Sequence, residues 1–174
     1  MKSALFIIAQ NNFQDQEFSE PRRILESKGF KVIVASKTSS EAKGAFGLKI
    51  KPNMDVASAL DNIDSDINSY SAIVFVGGGG AASYFDDLTA LEIARRMYDN
   101  RKVVAAICIG PIILANAGIL KGKNATVWPS ESKTLTSKGA IYLDKPVVVD
   151  GNIVTANGPN AAVEFGNVIA KLLI

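Results

Sequence analysis

The sequence predicts an α/β sandwich with a mostly parallel sheet. Short apolar runs rich in β-branched residues, at 3–9, 30–36, 72–76 and 103–107, alternate with longer segments of helical character. The opening 36 residues read strand–helix–strand, which calls for a parallel pair joined by a right-handed crossover. The length of 174 residues, with 48% hydrophobic and 21% charged residues, suits one soluble domain with a full core.

Residues 3–9 (SALFIIA) form the first buried strand, and 10–16 (QNNFQDQ) a polar connection. A helix follows over 16–28, with Pro21 either kinking it or marking its true first turn. Gly29 ends it before the second strand, 30–36. The stretch 37–53 reads as a loop with a short hairpin or edge strand near 46–50, and 55–70 as a helical turn and a loop. An inner strand at 72–76 runs into Gly77-Gly78-Gly79-Gly80, followed by a helix over 89–100. After the strand at 103–107 comes a helix over 112–120, with Pro111 suited to its first turn and Gly118 to its end. A strand at 125–128, a helix at 131–138 and strands at 141–143 and 147–149 come next. Asp150-Gly151-Asn152 then turns the chain into a strand at 153–156. A last amphipathic helix spans 160–173.

Ligands of such folds sit at the carboxyl ends of the strands. Three segments converge there: the loop holding Phe13-Gln14-Asp15-Gln16-Glu17, the glycine run, and Cys108. Cys108 lies at a tight strand-to-helix turn. Unpaired N–H groups and a helix dipole at that position should bring its pKa below the free-thiol value of about 8.5. A thiol in apolar flanks also fits inert packing. The glycine run offers N–H donors to a small anion or oxyanion, or is a flexible turn. Its match to a G-x-G-x-x-A dinucleotide pattern is weak, because no acidic residue ends the next strand. Glu17 by itself reads as a solvated charge in a first helical turn.

Composition excludes several chemistries. The chain has no histidine, so a Cys–His dyad, a Ser–His–Asp triad and any imidazole metal site are ruled out. A single cysteine rules out an intrachain disulfide and thiolate zinc clusters. A net charge of +2, with basic pairs scattered along the chain, argues against nucleic acid. No apolar run reaches membrane-spanning length and no signal peptide is legible, so a cytoplasmic location is expected.

Ala105-Ala106-Ile107-Cys108-Ile109-Gly110-Pro111, continuing to Lys123, resembles the signature of the ThiJ/PfpI superfamily. Phe13-Gln14-Asp15-Gln16-Glu17 is similar to its F-E-D-x-E segment, and the glycine run to its G-G turn. Ala125-Thr126-Val127-Trp128-Pro129-Ser130, Gly158-Pro159 and Glu164-Phe165 match later segments. The resemblance implies a flavodoxin-like three-layer sandwich of the class I glutamine-amidotransferase type, with a strand–Cys–helix nucleophile elbow. It implies Cys108 as nucleophile and Glu17 as a protonated acid bonded to the thiolate. Gly78, Gly79 and the Ile109 N–H would form the anion pocket. The activity implied is on small reactive carbonyls, of glyoxalase or deglycase type, or protection against oxidative stress. A non-catalytic redox sensor or chaperone, a PfpI-type peptidase and an isocyanide hydratase are the alternatives. The partners implied are a small-molecule substrate or oxidant and a second copy of the chain, with no cofactor or metal. Three positions depart from the peptidase pattern: Ile109 replaces a histidine, Ala82-Ser83 stand where an acid is expected, and Asn157 replaces an arginine found in some members.

Overall fold

The computed structural model describes residues 2–174. In chain order the elements are β1 (Ser3–Ile7), β2 (Asn11–Phe13), α1 (Asp15–Ser27), β3 (Lys31–Ser36), β4 (Ala42–Gly44), β5 (Lys49–Ile50) and β6 (Met54–Asp55). There follow α2 (Val56–Ser65), β7 (Ala72–Phe75), α3 (Leu88–Asp99), β8 (Val103–Ile107), α4 (Pro111–Asn116) and β9 (Asn124–Ala125). The chain closes with α5 (Ser132–Ser137), β10 (Ile141–Tyr142), β11 (Val147–Asp150), β12 (Ile153–Ala156) and α6 (Ala162–Leu173).

Seven strands form the central sheet in the order β11-β12-β8-β7-β1-β3-β6. All neighbours are parallel except the β11–β12 hairpin. Every residue of β7 and β8 is buried, as strands covered on both faces require. The order grows outward from β1 in both directions. With right-handed crossovers, that reversal puts α1 on one face and α2 and α3 on the other. Accordingly α1 packs on α6, while α2, α3 and α4 pack in a row. The result is the three-layer α/β fold expected from the alternation. The reversal also opens a crevice at the carboxyl ends of β1 and β7, where the candidate site lies. Among the described residues no helix is long and apolar enough to cross a membrane.

Several local expectations change. The polar connection after β1 contains β2, which joins the β4–β5 hairpin in a small separate sheet. The segment read as a turn and loop is the ten-residue helix α2, capped by the Asp55 carboxylate accepting from the Ser58 N–H at 2.7 Å. α4 stops at Asn116, short of the expected 120. Pro21 does not mark a first turn: α1 begins at Asp15, and the Gln14 side chain caps it by accepting from the Glu17 N–H at 2.7 Å. Pro21 therefore sits in the helix interior and lacks the N–H that would bond the Glu17 carbonyl.

Pro21 is also where α1 meets α6. A Cβ on Gly166 would stand 2.8 Å from Pro21 Cα and 2.9 Å from Ile24 Cδ1. Gly166→Ala adds about 1 kcal/mol of helix propensity. Overpacking against backbone costs about 1–3 kcal/mol and outweighs it. We expect Gly166→Ala to lower the urea unfolding free energy by about 1 kcal/mol. An unchanged or raised midpoint would show that the two helices separate freely.

Candidate active site

β8 delivers Cys108 to the crevice. The strand pairs in register with β12, ending at Ile107 opposite Ala156. The chain then turns sharply, and Cys108 adopts φ 64, a left-handed angle that a β-carbon disfavours. Both peptide groups of Cys108 are tied down: its N–H donates to Ala156 O at 2.9 Å, and its carbonyl accepts from the Trp128 N–H at 2.8 Å. The Gly110 N–H closes the turn onto Ile107 O at 2.9 Å. A Cβ on Gly110 would crowd Ile107 O at 2.8 Å and Phe75 O at 3.0 Å, so only glycine lets α4 start here.

α1 delivers Glu17 from the opposite side. Glu17 is fully buried, and neither carboxyl oxygen has a partner in good hydrogen-bond geometry. Cys108 and the backbone N–H of Gly77 are still close enough to draw its pKa downward. Gly77 makes the room: a Cβ there would overlap Glu17 Oε2 and lie 2.5 Å from both Cys108 Cβ and Ile107 O. The glycine turn is pinned to the loop before α1 by the Gln14 N–H donating to Gly77 O at 2.9 Å. Gly78 has φ 97, and a Cβ on it would meet Gln14 N at 2.5 Å.

The structure thus brings together Cys108, Glu17, Gly78 and Ile109. Backbone N–H groups of Gly78 and Ile109 are close enough to the sulfur to favour its anion. These contacts come from Gly78 and Ile109 rather than from Gly79, which opens a 3-10 turn with empty space where a side chain would be. Ser83 lies exposed on that same turn. Sequence reasoning missed the role of Gly77, which clears the space for the carboxyl. The four-glycine run marked the region without singling out that position.

The expected low thiol pKa is corrected. Burial pushes the Cys108 thiol up to about 12, the charge of Glu17 adds to the rise, and the Gly78 and Ile109 N–H groups pull against both. Cys108 is only 8% exposed, and α4 is six residues long and begins three residues further on, so its dipole does not offset desolvation. Burial likewise pushes the Glu17 carboxyl from 4.5 up to about 7. Two acids in one buried space titrate as a pair. Both are pushed up, the thiol further than the carboxyl, so Glu17 ionises first and its charge then opposes ionisation of the sulfur.

Comparison with known proteins finds relatives along nearly the whole chain. Residues 2–172 match the DJ-1/PfpI family. The chain is 44% identical over 178 residues to an uncharacterised protein of Methanocaldococcus jannaschii, covering 99% of this chain and 84% of that one. It is 31% identical over 169 residues to a Pyrococcus furiosus protein named deglycase PfpI, covering 97% of this chain and 98% of that one. A solved ThiJ/PfpI domain protein from Brachyspira murdochii matches with a TM-score of 0.92 and 34% identity, over 98% of this chain and 95% of that one.

The buried carboxyl has a consequence for stability. Folding raises the Glu17 pKa, so its protonated form supports the fold fully below 4.5, and that support is lost as pH rises through about 7. The rise corresponds to about 3 kcal/mol. Glu17→Gln cannot ionise. Urea unfolding from about pH 4 to about pH 8 should show the variant gaining about 3 kcal/mol on the wild type. Parallel stability curves would mean that Glu17 ionises freely in the fold.

Proposed function

The chain belongs to the DJ-1/PfpI family, and on that premise we propose that it is a cysteine-dependent enzyme acting on small reactive carbonyls, of glyoxalase or deglycase type. The observation that carries the reading is the fully buried, unpartnered Glu17 carboxyl beside a cysteine held on a strained left-handed turn. Once ionised, Glu17 accepts the Cys108 proton, so that sulfur carries the charge as it attacks and the carboxyl holds the proton. The thiolate attacks the aldehyde carbon of a 2-oxoaldehyde. A carbon–sulfur bond forms, the carbonyl π pair moves to oxygen, and that oxygen takes the Glu17 proton. Glu17, now a carboxylate, removes the hydrogen of the former aldehyde carbon as a proton and returns it to the neighbouring carbon. The hydroxyl proton passes to the neighbouring oxygen, which leaves a thioester of a 2-hydroxy acid. Water cleaves the thioester and restores the thiol. The sum is oxoaldehyde plus water giving hydroxy acid, with no external oxidant or reductant. The Gly78 and Ile109 N–H groups hold charge on the sulfur before attack.

Amide cleavage is not part of this reading. It requires protonation of an amine leaving group, and the chain has no histidine for that step. A homodimer belongs to the same proposal, and sedimentation equilibrium reads its mass.

The test is conversion of methylglyoxal to lactate. Wild type should consume it with kcat/KM rising through pH about 7, as the pair loses its first proton. Cys108→Ser should be inactive, and Glu17→Gln should lose a factor of about 10²–10⁴. Turnover by Cys108→Ser at the wild-type rate would return the cysteine to the role of packing.

A further inference from the structure

Beside the cysteine turn lies a groove of about 260 Å³ lined by Trp128, Pro129, Asn157, Gly158, Pro159 and Asn160. Backbone hydrogen bonds tie both of its lining segments to the cysteine turn. Trp128 donates its backbone N–H to the Cys108 carbonyl at 2.8 Å, and β12 carries Ala156, which accepts the Cys108 N–H, directly into Asn157. The groove therefore belongs to the same end of the sheet as the sulfur. Its wall is the indole of Trp128, which stays 43% exposed although the ring is among the largest apolar surfaces a chain can bury. The ring rests on Gly158, where a Cβ would stand 2.9 Å from Cζ3 and 3.0 Å from Cε3. Glycine at 158 seats the indole against the backbone and fixes it as a flat surface. Asn157 adds a side-chain amide to the same lining. The volume lies below the roughly 300–1,000 Å³ of sites that enclose a whole drug-sized ligand, and suits a single ring-sized substituent.

We propose that this groove is a side-group subsite. It takes the planar apolar substituent of a 2-oxoaldehyde whose aldehyde carbon reaches Cys108, so the chain favours aryl over methyl dicarbonyls. The inference rests on the carbonyl reading above for the identity of the substrate. The ring contact itself can be measured without turnover.

The first arm measures alkylation of Cys108 by N-benzyliodoacetamide and by iodoacetamide, followed by intact mass. Wild type should react faster with the benzyl reagent. Trp128→Ala should lose that advantage by a factor of about 2–12, the range of one aromatic pair contact, and Trp128→Phe should keep most of it. Trp128 meets Cys108 through its backbone, so both variants retain that hydrogen bond. The same benzyl-to-plain ratio in all three proteins overturns the subsite. The second arm compares kcat/KM for phenylglyoxal and methylglyoxal, and Trp128→Ala should shift their ratio toward methylglyoxal. If neither dicarbonyl is consumed but the alkylation ratio behaves as stated, the reaction class fails and the ring subsite stands. If both are consumed and both ratios ignore Trp128, the reaction class stands and the subsite fails.

Discussion

The left-handed backbone of Cys108 is the constraint on which the site depends. A β-carbon at φ 64 costs about 1–3 kcal/mol and persists only where neighbours over-determine it. Here the neighbours are β12 on one side, through Ala156, and the segment after β9 on the other, through Trp128. Those two hydrogen bonds take up both peptide groups flanking the strained angle, so relaxation toward an ordinary conformation would break them. The strain lifts the side chain out of the β8 ladder and turns it toward α1.

The second requirement is space. Glu17 reaches the sulfur because Gly77 has no side chain, and the turn holds its shape because the loop before α1 binds it through Gln14. The two acids then share a volume too dry for two charges. Burial raises both pKa values, and the charge of Glu17 raises the thiol further. These shifts are the outcome of geometry rather than of either residue type alone.

Much of the fold was legible because its signals are local. The apolar runs of β1, β7 and β8, the Gly118 turn and the Asp150-Gly151-Asn152 hairpin all follow from residue type over a few positions. α2 escaped notice because Asp, Asn and Ser crowd its sequence, although the Asp55 cap and the Val56, Ala59, Ile63 spacing were present. β2 is three largely polar residues that become a strand only when β4 arrives, pairing Phe13 with Gly44 and Asn11 with Lys43. The cysteine turn was legible for the same local reason as β8. The thiol pKa was not, because it depends on a carboxyl 91 positions earlier and on burial that no single segment encodes. Glu17 looked like a surface charge for the same reason: its surroundings are supplied by Gly77 and Cys108.

The bond between Trp128 and Cys108 also makes the turn visible to light. The chain contains one tryptophan, half-exposed, with its backbone N–H on the carbonyl of its single cysteine. Tryptophan emission from this protein therefore arises at one address, a backbone hydrogen bond away from the cysteine. Any event that rebuilds the turn changes the polarity around that indole. The molecule carries a built-in optical probe of its own strained angle, with no label to attach and no second fluorophore of its kind to subtract.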